Sequence, residues 1–242
     1  MKIVRLLLVL PILLGLNFLS CSQSNSTAQI NDYMQNVSID NSPKNLSDAE
    51  EVLRQLENRY YAFTFYKAKA QNIYSRKGFG EETSVKRELE IEYTSPSKIK
   101  VQMSDGKNTK TLTSRDNIAF LSIDGEKKKD YDDVYWGLTS SEFGDGVFFE
   151  VGKILILKER GQGELSSIRN LENPLILGEE TIDEKACYKI QGSVKEDNLA
   201  KITYWIDKET FVIRQYERLL LAKKVPNGYF KTIETYTDIE AR

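Results

Sequence analysis

The chain has 242 residues, with 34 Lys plus Arg against 36 Asp plus Glu, a formal net charge of −2, no histidine and two cysteines. Interspersed, nearly balanced charge excludes the basic footprint of a nucleic-acid binder. The missing imidazole excludes His-based triads, His-zinc sites and imidazole pH sensing. With no glycine-rich phosphate loop and no Gly-x-Ser-x-Gly elbow either, no catalytic residue, metal site or cofactor is expected, and the chain reads as a non-enzyme.

Lys2 and Arg5 flank the start of an apolar run, Ile3 to Leu19, which Pro11, Gly15 and Asn17 interrupt and Ser20-Cys21 closes. The run falls short of the roughly 20 residues of a membrane span and has the charged, apolar and cleavage layout of a signal peptide. Phe18-Leu19-Ser20-Cys21 resembles the bacterial lipobox, with Phe18 where the box commonly has Leu. That resemblance implies a signal peptide over residues 1–20, cleavage before Cys21 and lipid on Cys21 as the route to a membrane. Each buried methylene contributes about 0.8 kcal/mol, so two or three long chains hold without spanning. In a two-membrane envelope, Ser22 stands where an inner-membrane retention signal has Asp, which implies the outer membrane, facing the periplasm. Residues 21–45, rich in Ser, Asn, Gln and Asp, read as the lipidated Cys and a flexible tether. Residues 46–242 read as one domain. With Cys21 acylated, Cys187 has no cysteine to pair with inside the chain, so the core alone must hold the fold.

The domain opens with a helix. Ser47 and Glu50 fit a capping box, and Ala49, Val52, Leu53, Leu56 and Tyr60 share one face at helical spacing. From Tyr61 to about Ile123 the period is that of strands. Val85, Leu89, Ile91 and Tyr93 alternate with Lys86, Glu88, Glu90 and Glu92; Ile99, Val101 and Met103 alternate with Lys98, Lys100 and Gln102. Thr94-Ser95-Pro96-Ser97, Asp105-Gly106 and Asp124-Gly125 are turns, and Lys107–Ser114 and Asn117–Ile123 fit two further strands. Glu126–Asp133 is a charged stretch leading to Tyr135 and Trp136. Val147, Phe148, Val151, Ile154 and Leu155 predict a helix over 146–158, although Ile154-Leu155-Ile156-Leu157 alone fits a strand as well. A loop follows to Asn173. Strands are then expected at about 175–182, 186–194, 199–206, 211–221 and 229–239, joined by short polar hairpins.

Two stretches carry a resemblance. Tyr93-Thr94-Ser95-Pro96-Ser97-Lys98-Ile99-Lys100-Val101 and Gly178 to Arg214, the latter with Cys187-Tyr188-Lys189-Ile190 and Tyr204-Trp205-Ile206-Asp207, resemble the LolA/LolB-like family of exported lipoprotein-sorting proteins, which includes RseB-type regulators. The resemblance implies a mainly β (α+β) fold: an unclosed antiparallel half-barrel, with the N-terminal and central helices packed on its concave side. It implies a hydrophobic cavity that takes acyl chains of a lipid or lipoprotein, as carrier, acceptor or sensor. The alternative is a structural or regulatory envelope lipoprotein that binds a protein partner through the same fold.

The cavity candidates are Val85, Leu89, Ile91, Ile99, Val101, Met103, Phe120 and Trp205. The same side chains would form a packed core equally well. Cys187, inside an apolar strand, reads as a buried thiol. Asp130, Asp132 and Asp133 adjoin Lys127–Lys129 and read as solvated charge. Glu179-Glu180 and Asp183-Glu184 read as turn and edge charges.

Overall fold

The computed structural model describes residues 48–242 except 79–80, 97, 116–117, 145–148, 160–167, 195–196, 223–224 and 226. The expected signal peptide, Cys21, the tether and Ser47 lie outside the described residues. One compact unit runs from Leu46 to Arg242.

Helix α1 (Asp48–Ala62) buries Ala49, Val52, Leu53, Leu56 and Tyr60, the face set by the helical spacing of those residues. Six strands follow: β1 (Phe65–Lys77), β2 (Glu82–Thr94), β3 (Lys98–Ser104), β4 (Thr109–Arg115), β5 (Ile118–Ile123) and β6 (Glu126–Tyr131). Three helices come next, α2 (Val134–Thr139), α3 (Ser141–Gly144) and α4 (Glu150–Glu159). The chain ends in β7 (Leu171–Ile182), β8 (Lys185–Val194), β9 (Asp197–Asp207), β10 (Ile213–Leu221) and β11 (Tyr229–Ala241).

Among the described residues the eleven strands form one sheet, in the order β6-β5-β4-β3-β2-β1-β11-β10-β9-β8-β7. Every neighbouring pair is antiparallel. The two meanders meet where β1 pairs β11, with Ile73 opposite Ile233. The sheet does not close on itself, and the architecture is the open half-barrel with N-terminal and central helices that the family resemblance implies.

The helices share the core of one sheet face. α1 packs on β7 and α4, α2 on β4, β5 and β6, and α4 on β2 and β3. Gly137 permits the close seat of α2: a Cβ there would lie 3.0 Å from Leu112 Cδ1 and 3.3 Å from Ala119 Cβ. On that face Leu89, Ile91, Ile99, Val101, Met103, Leu112 and Leu121 are all buried. Burying one such side chain contributes about 1.5–3 kcal/mol.

Turn chemistry fixes the registers. Asp124 and Gly125 both take positive φ, 52° and 84°, as a tight β5–β6 hairpin requires. Asp183 and Glu184 do the same between β7 and β8, at 47° and 61°. At β9–β10, Asp207 Oδ1 accepts from the amides of Glu209 and Thr210, each at 3.0 Å. Its Oδ2 accepts from Arg214 Nε at 3.0 Å and Nη2 at 2.9 Å. Burial raises the Asp207 carboxyl, but the Thr210 and Glu209 amides and the Arg214 guanidinium outweigh it and bring it below its ordinary 3.8. Asp207→Ala should therefore cost about 2–3 kcal/mol in urea denaturation at pH 7, since it removes a turn cap and strands a half-buried guanidinium. A carboxyl held down by folding stabilises above its unfolded value and loses that contribution as pH falls below it. The gap between variant and wild type should accordingly close as pH is lowered through 3.8, the ordinary value for this group.

Four elements depart from the sequence reading: the short helices α2 and α3, which it did not anticipate, and β6 and β7. Glu126–Asp133, read only as charge, contains β6, which is nearly all exposed and holds the sheet edge. Its Lys129 pairs with Glu142 at 2.8 Å. A lysine-rich edge strand shows no apolar alternation because neither of its faces is dry. β7 begins at Leu171, earlier than the expected 175. Register shifts between Glu172 and Leu175 and between Ile176 and Gly178, with Asn173 at φ 50°, scramble its alternation.

Candidate functional site

α4 crosses the hollow and is tethered to β11 by a carboxylate. Glu234 Oε1 accepts from the Phe149 amide at 2.9 Å, and its Oε2 from the Glu150 amide at 3.1 Å and the Tyr236 hydroxyl at 2.6 Å. Asn72 Nδ2 approaches Oε1 at 3.5 Å, and Arg87 Nη1 reaches Asn72 Oδ1 at the same distance. Two strands across the sheet from β11, on β9, the Tyr204 hydroxyl donates to Glu150 Oε1 at 2.8 Å. The registers explain this gathering. Asn72 pairs with Glu234, Glu234 with Tyr216, and Tyr216 with Tyr204, so one inward row crosses β1, β11, β10 and β9.

Beside this row, between α4 and β8–β10, lies a cavity of about 180 Å³. Glu150, Lys153, Ile154 and Leu157 of α4 face Val194, Ile202, Tyr216 and Arg218 of the sheet, and Tyr135 and Asn170 complete the lining. Burial pushes the Glu150 carboxyl above its ordinary 4.5, partly opposed by the Lys153 ammonium and the Tyr204 hydroxyl. Burial also draws Lys153 below its ordinary 10.5, opposed by Glu150 and Glu234. The Tyr216 and Tyr236 hydroxyls are held well above their ordinary value, mainly by burial. The result is a half-open recess, with apolar walls and a charged side, that can hold a small amphiphilic group.

None of the cavity candidates chosen from sequence lines this recess. Leu89, Ile91, Ile99, Val101 and Met103 are brought together, but as packed core on the inward face of β2 and β3. Val85, at the far end of β2, is 41% exposed. Phe120 lies on the outer face of β5, because Ala119 and Leu121 take the inner one, and Lys127 Nζ sits 5.1 Å from its ring centroid. Trp205 is likewise outward, since Tyr204 and Ile206 point in. Its indole donates to Glu180 Oε2 at 2.7 Å, and Lys189 Nζ lies 5.1 Å from the ring centroid. Their apolar side chains made these two read as interior from sequence, yet on the outer face Glu180 and Lys189 cover Trp205.

Sequence reasoning missed Glu150, Lys153, Arg218 and Glu234. The available signal was a charged residue on the inward rows of β10 and β11: Arg218 two places after the buried Tyr216, and Glu234 between the buried Thr232 and Tyr236. Cys187 is buried, and burial together with the Asp207 charge pushes its thiol up to about 11, so it holds its proton. Asp130 pairs with Lys127 at 2.8 Å, and Asp133 caps α2 by accepting from the Tyr135 amide at 2.7 Å. Among the described residues no acidic, His or Cys group is arranged to hold a metal.

No family model matches the sequence, and no curated protein matches it. The chain is similar in structure to the Mycobacterium tuberculosis lipoprotein LppX, with 12% identity and a TM-score of 0.45, over 80% of this chain and 96% of that one. It is similar to a LolA superfamily protein from Nitrosomonas europaea, with 8% identity and a TM-score of 0.36, over 81% and 94%. It is also similar to a chain of the Pseudomonas aeruginosa MucA/MucB complex, with 13% identity and a TM-score of 0.43, over 81% of this chain and 57% of that one.

Proposed function

We propose that this is a non-catalytic, membrane-anchored lipoprotein that takes part of a lipid or lipoprotein into its half-barrel. The observation that carries the reading is the recess between α4 and β8–β10, walled by Ile154, Leu157, Val194 and Ile202. Its volume of about 180 Å³ is close to the ~150 Å³ that admits benzene and below the roughly 300–1,000 Å³ of a drug-sized pocket. It therefore takes the end of an amphiphile, and a longer chain requires α4 to lift from the sheet. Native mass spectrometry of the purified chain, with lipid extraction, tests this: bound acyl lipid is expected, and a ligand-free chain overturns it.

One observation favours a protein partner instead. β7 is an edge strand, and its Leu175 and Leu177 are 63% and 53% exposed. An apolar strand edge is a template for an added strand. A stoichiometric protein without lipid in the same spectra would favour this second reading.

Anchoring is proposed through Cys21, with the chain in the cell envelope and, where there are two membranes, in the outer one facing the periplasm. Cys21→Ala should leave the precursor uncleaved, abolish fatty-acid labelling and move the protein out of the outer-membrane fraction on a density gradient. Palmitate labelling of the variant at the wild-type level would overturn the anchor.

A further inference from the structure

We propose that the acyl chain does not stop at the recess: from there it runs across the concave face of β10, β11, β1 and β2, over Leu220, Phe230 and Tyr74 to Val85. This rests on the acyl-binding reading and gives the chain its path. Directly paired residues of antiparallel strands share a face, as do residues two apart in one strand. Ile202 and Arg218 line the recess. Ile202 pairs with Arg218, Arg218 with Thr232, Thr232 with Tyr74 and Tyr74 with Val85, so one concave row leaves the recess and crosses to β2. The next row on the same face pairs Ala200 with Leu220 and Leu220 with Phe230.

These rows hold an apolar surface that the fold leaves open. Phe230 is 42% and Val85 41% exposed, and Leu220 and Tyr74 are half-buried. Further along β2 the same face is sealed: Leu89 and Ile91 are buried, and α4 packs on that strand. Large apolar side chains left open on a concave face gain by taking up hydrocarbon. Arg218 and Thr232 interrupt the row, but an arginine offers its methylene stem to a passing chain. The lengths also agree. The recess admits only the end of a chain, and drawing more beneath α4 would need the helix to lift, whereas this face is already uncovered. From β10 to β2 is three strand spacings, about 14 Å. An extended chain covers that with about eleven carbons at ~1.3 Å each, given a C–C bond of ~1.5 Å. With the roughly six carbons that a benzene-sized recess holds, the path matches a chain of about 16–18 carbons.

The test titrates octanoate and hexadecanoate onto the full mature chain in phosphatidylcholine nanodiscs. Each variant is read against wild type with the same probe, so that partitioning into the bilayer cancels. Phe230→Ser should weaken hexadecanoate by about tenfold, the scale of covering much of a phenylalanine ring, and leave octanoate unchanged within about twofold. Val85→Ser should do the same by about threefold, as befits a smaller side chain. Both positions are exposed, so neither change threatens the fold. The two probes weakened equally, or neither weakened, overturns the path and leaves the acyl reading intact. No binding of either probe above empty nanodiscs overturns both. Sedimentation tests the competing occupant: a wild-type dimer that Phe230→Ser dissociates makes this face a contact between copies and overturns the path.

Discussion

Ile91→Glu should destabilise the domain by about 5 kcal/mol, a loss comparable to the whole stability of many domains. Ile91 is fully buried, and its cross-strand neighbours are Ala68 and Val101, both also buried. Leu89, Ile99 and Met103 surround this pair on the same face, and α4 closes over it, with Gly152 so placed that a Cβ would meet Ile99 Cδ1 at 3.8 Å. Removing the isoleucine loses about 1.5–3 kcal/mol of apolar burial. The carboxyl then meets neither water nor a cation among Ile91's cross-strand neighbours, so it either stays charged at a cost of several kcal/mol or takes up a proton at neutral pH. Ile91→Val, which removes one methylene, should cost only about 1 kcal/mol. Thermal melts of the two variants against wild type check this. An Ile91→Glu domain that melts within a few degrees of wild type would mean that water or lipid reaches the row, and that the hollow under α4 is larger than the recess beside it.

This expectation separates what the sequence could show from what it could not. The alternation in β2 and β3 is strict, so the inward face was readable: Leu89, Ile91, Ile99, Val101 and Met103 all lie on it. The same alternation could not say whether an inward side chain meets a helix or a void, because that depends on where α4 lies. Strand period also failed where burial and face part company. Trp205 is buried on the outer face under Lys189 and Glu180, although in sequence it stands in an apolar run with Tyr204 and Ile206. The helix expected over 146–158 has α4 at its core, and its first residues fall outside the described ones. The Asp207 turn was readable because an aspartate that caps its own turn needs only local chain. The Glu150–Glu234 cluster was not readable. Its members are 84 residues apart and meet only because β1 pairs β11, a join that no local pattern encodes.

That join gives the second large effect. Glu234→Ala should cost about 4 kcal/mol, and Glu234→Gln about half as much. A helix begins with amide groups that have no partner within it. Here the carboxylate of a distant strand accepts two amides at the start of α4, those of Phe149 and Glu150. Phe149 holds φ at 48°, a left-handed backbone that a bulky residue adopts only when its surroundings impose it, and the Glu234 contact is part of that imposition. Negative charge at this end also complements the helix dipole. Alanine would strand both amides and the Tyr236 hydroxyl in the interior, at about 1–3 kcal/mol each, less what a water admitted to the void restores. Glutamine keeps one accepting oxygen and turns the other position into a donor facing an amide. The loss should be local first. Hydrogen exchange at the Val151 and Lys153 amides should accelerate well before that of Leu53 or Leu56 in α1. Exchange that rises uniformly, or not at all, would show that α4 is held by its apolar packing instead. Because Glu150 and Lys153 sit in the first turns of α4, fraying there displaces both charges that this helix lends to the recess. The alanine variant should therefore lose acyl-ligand uptake at temperatures where the sheet and α1 are still folded, although Glu234 itself does not line the cavity.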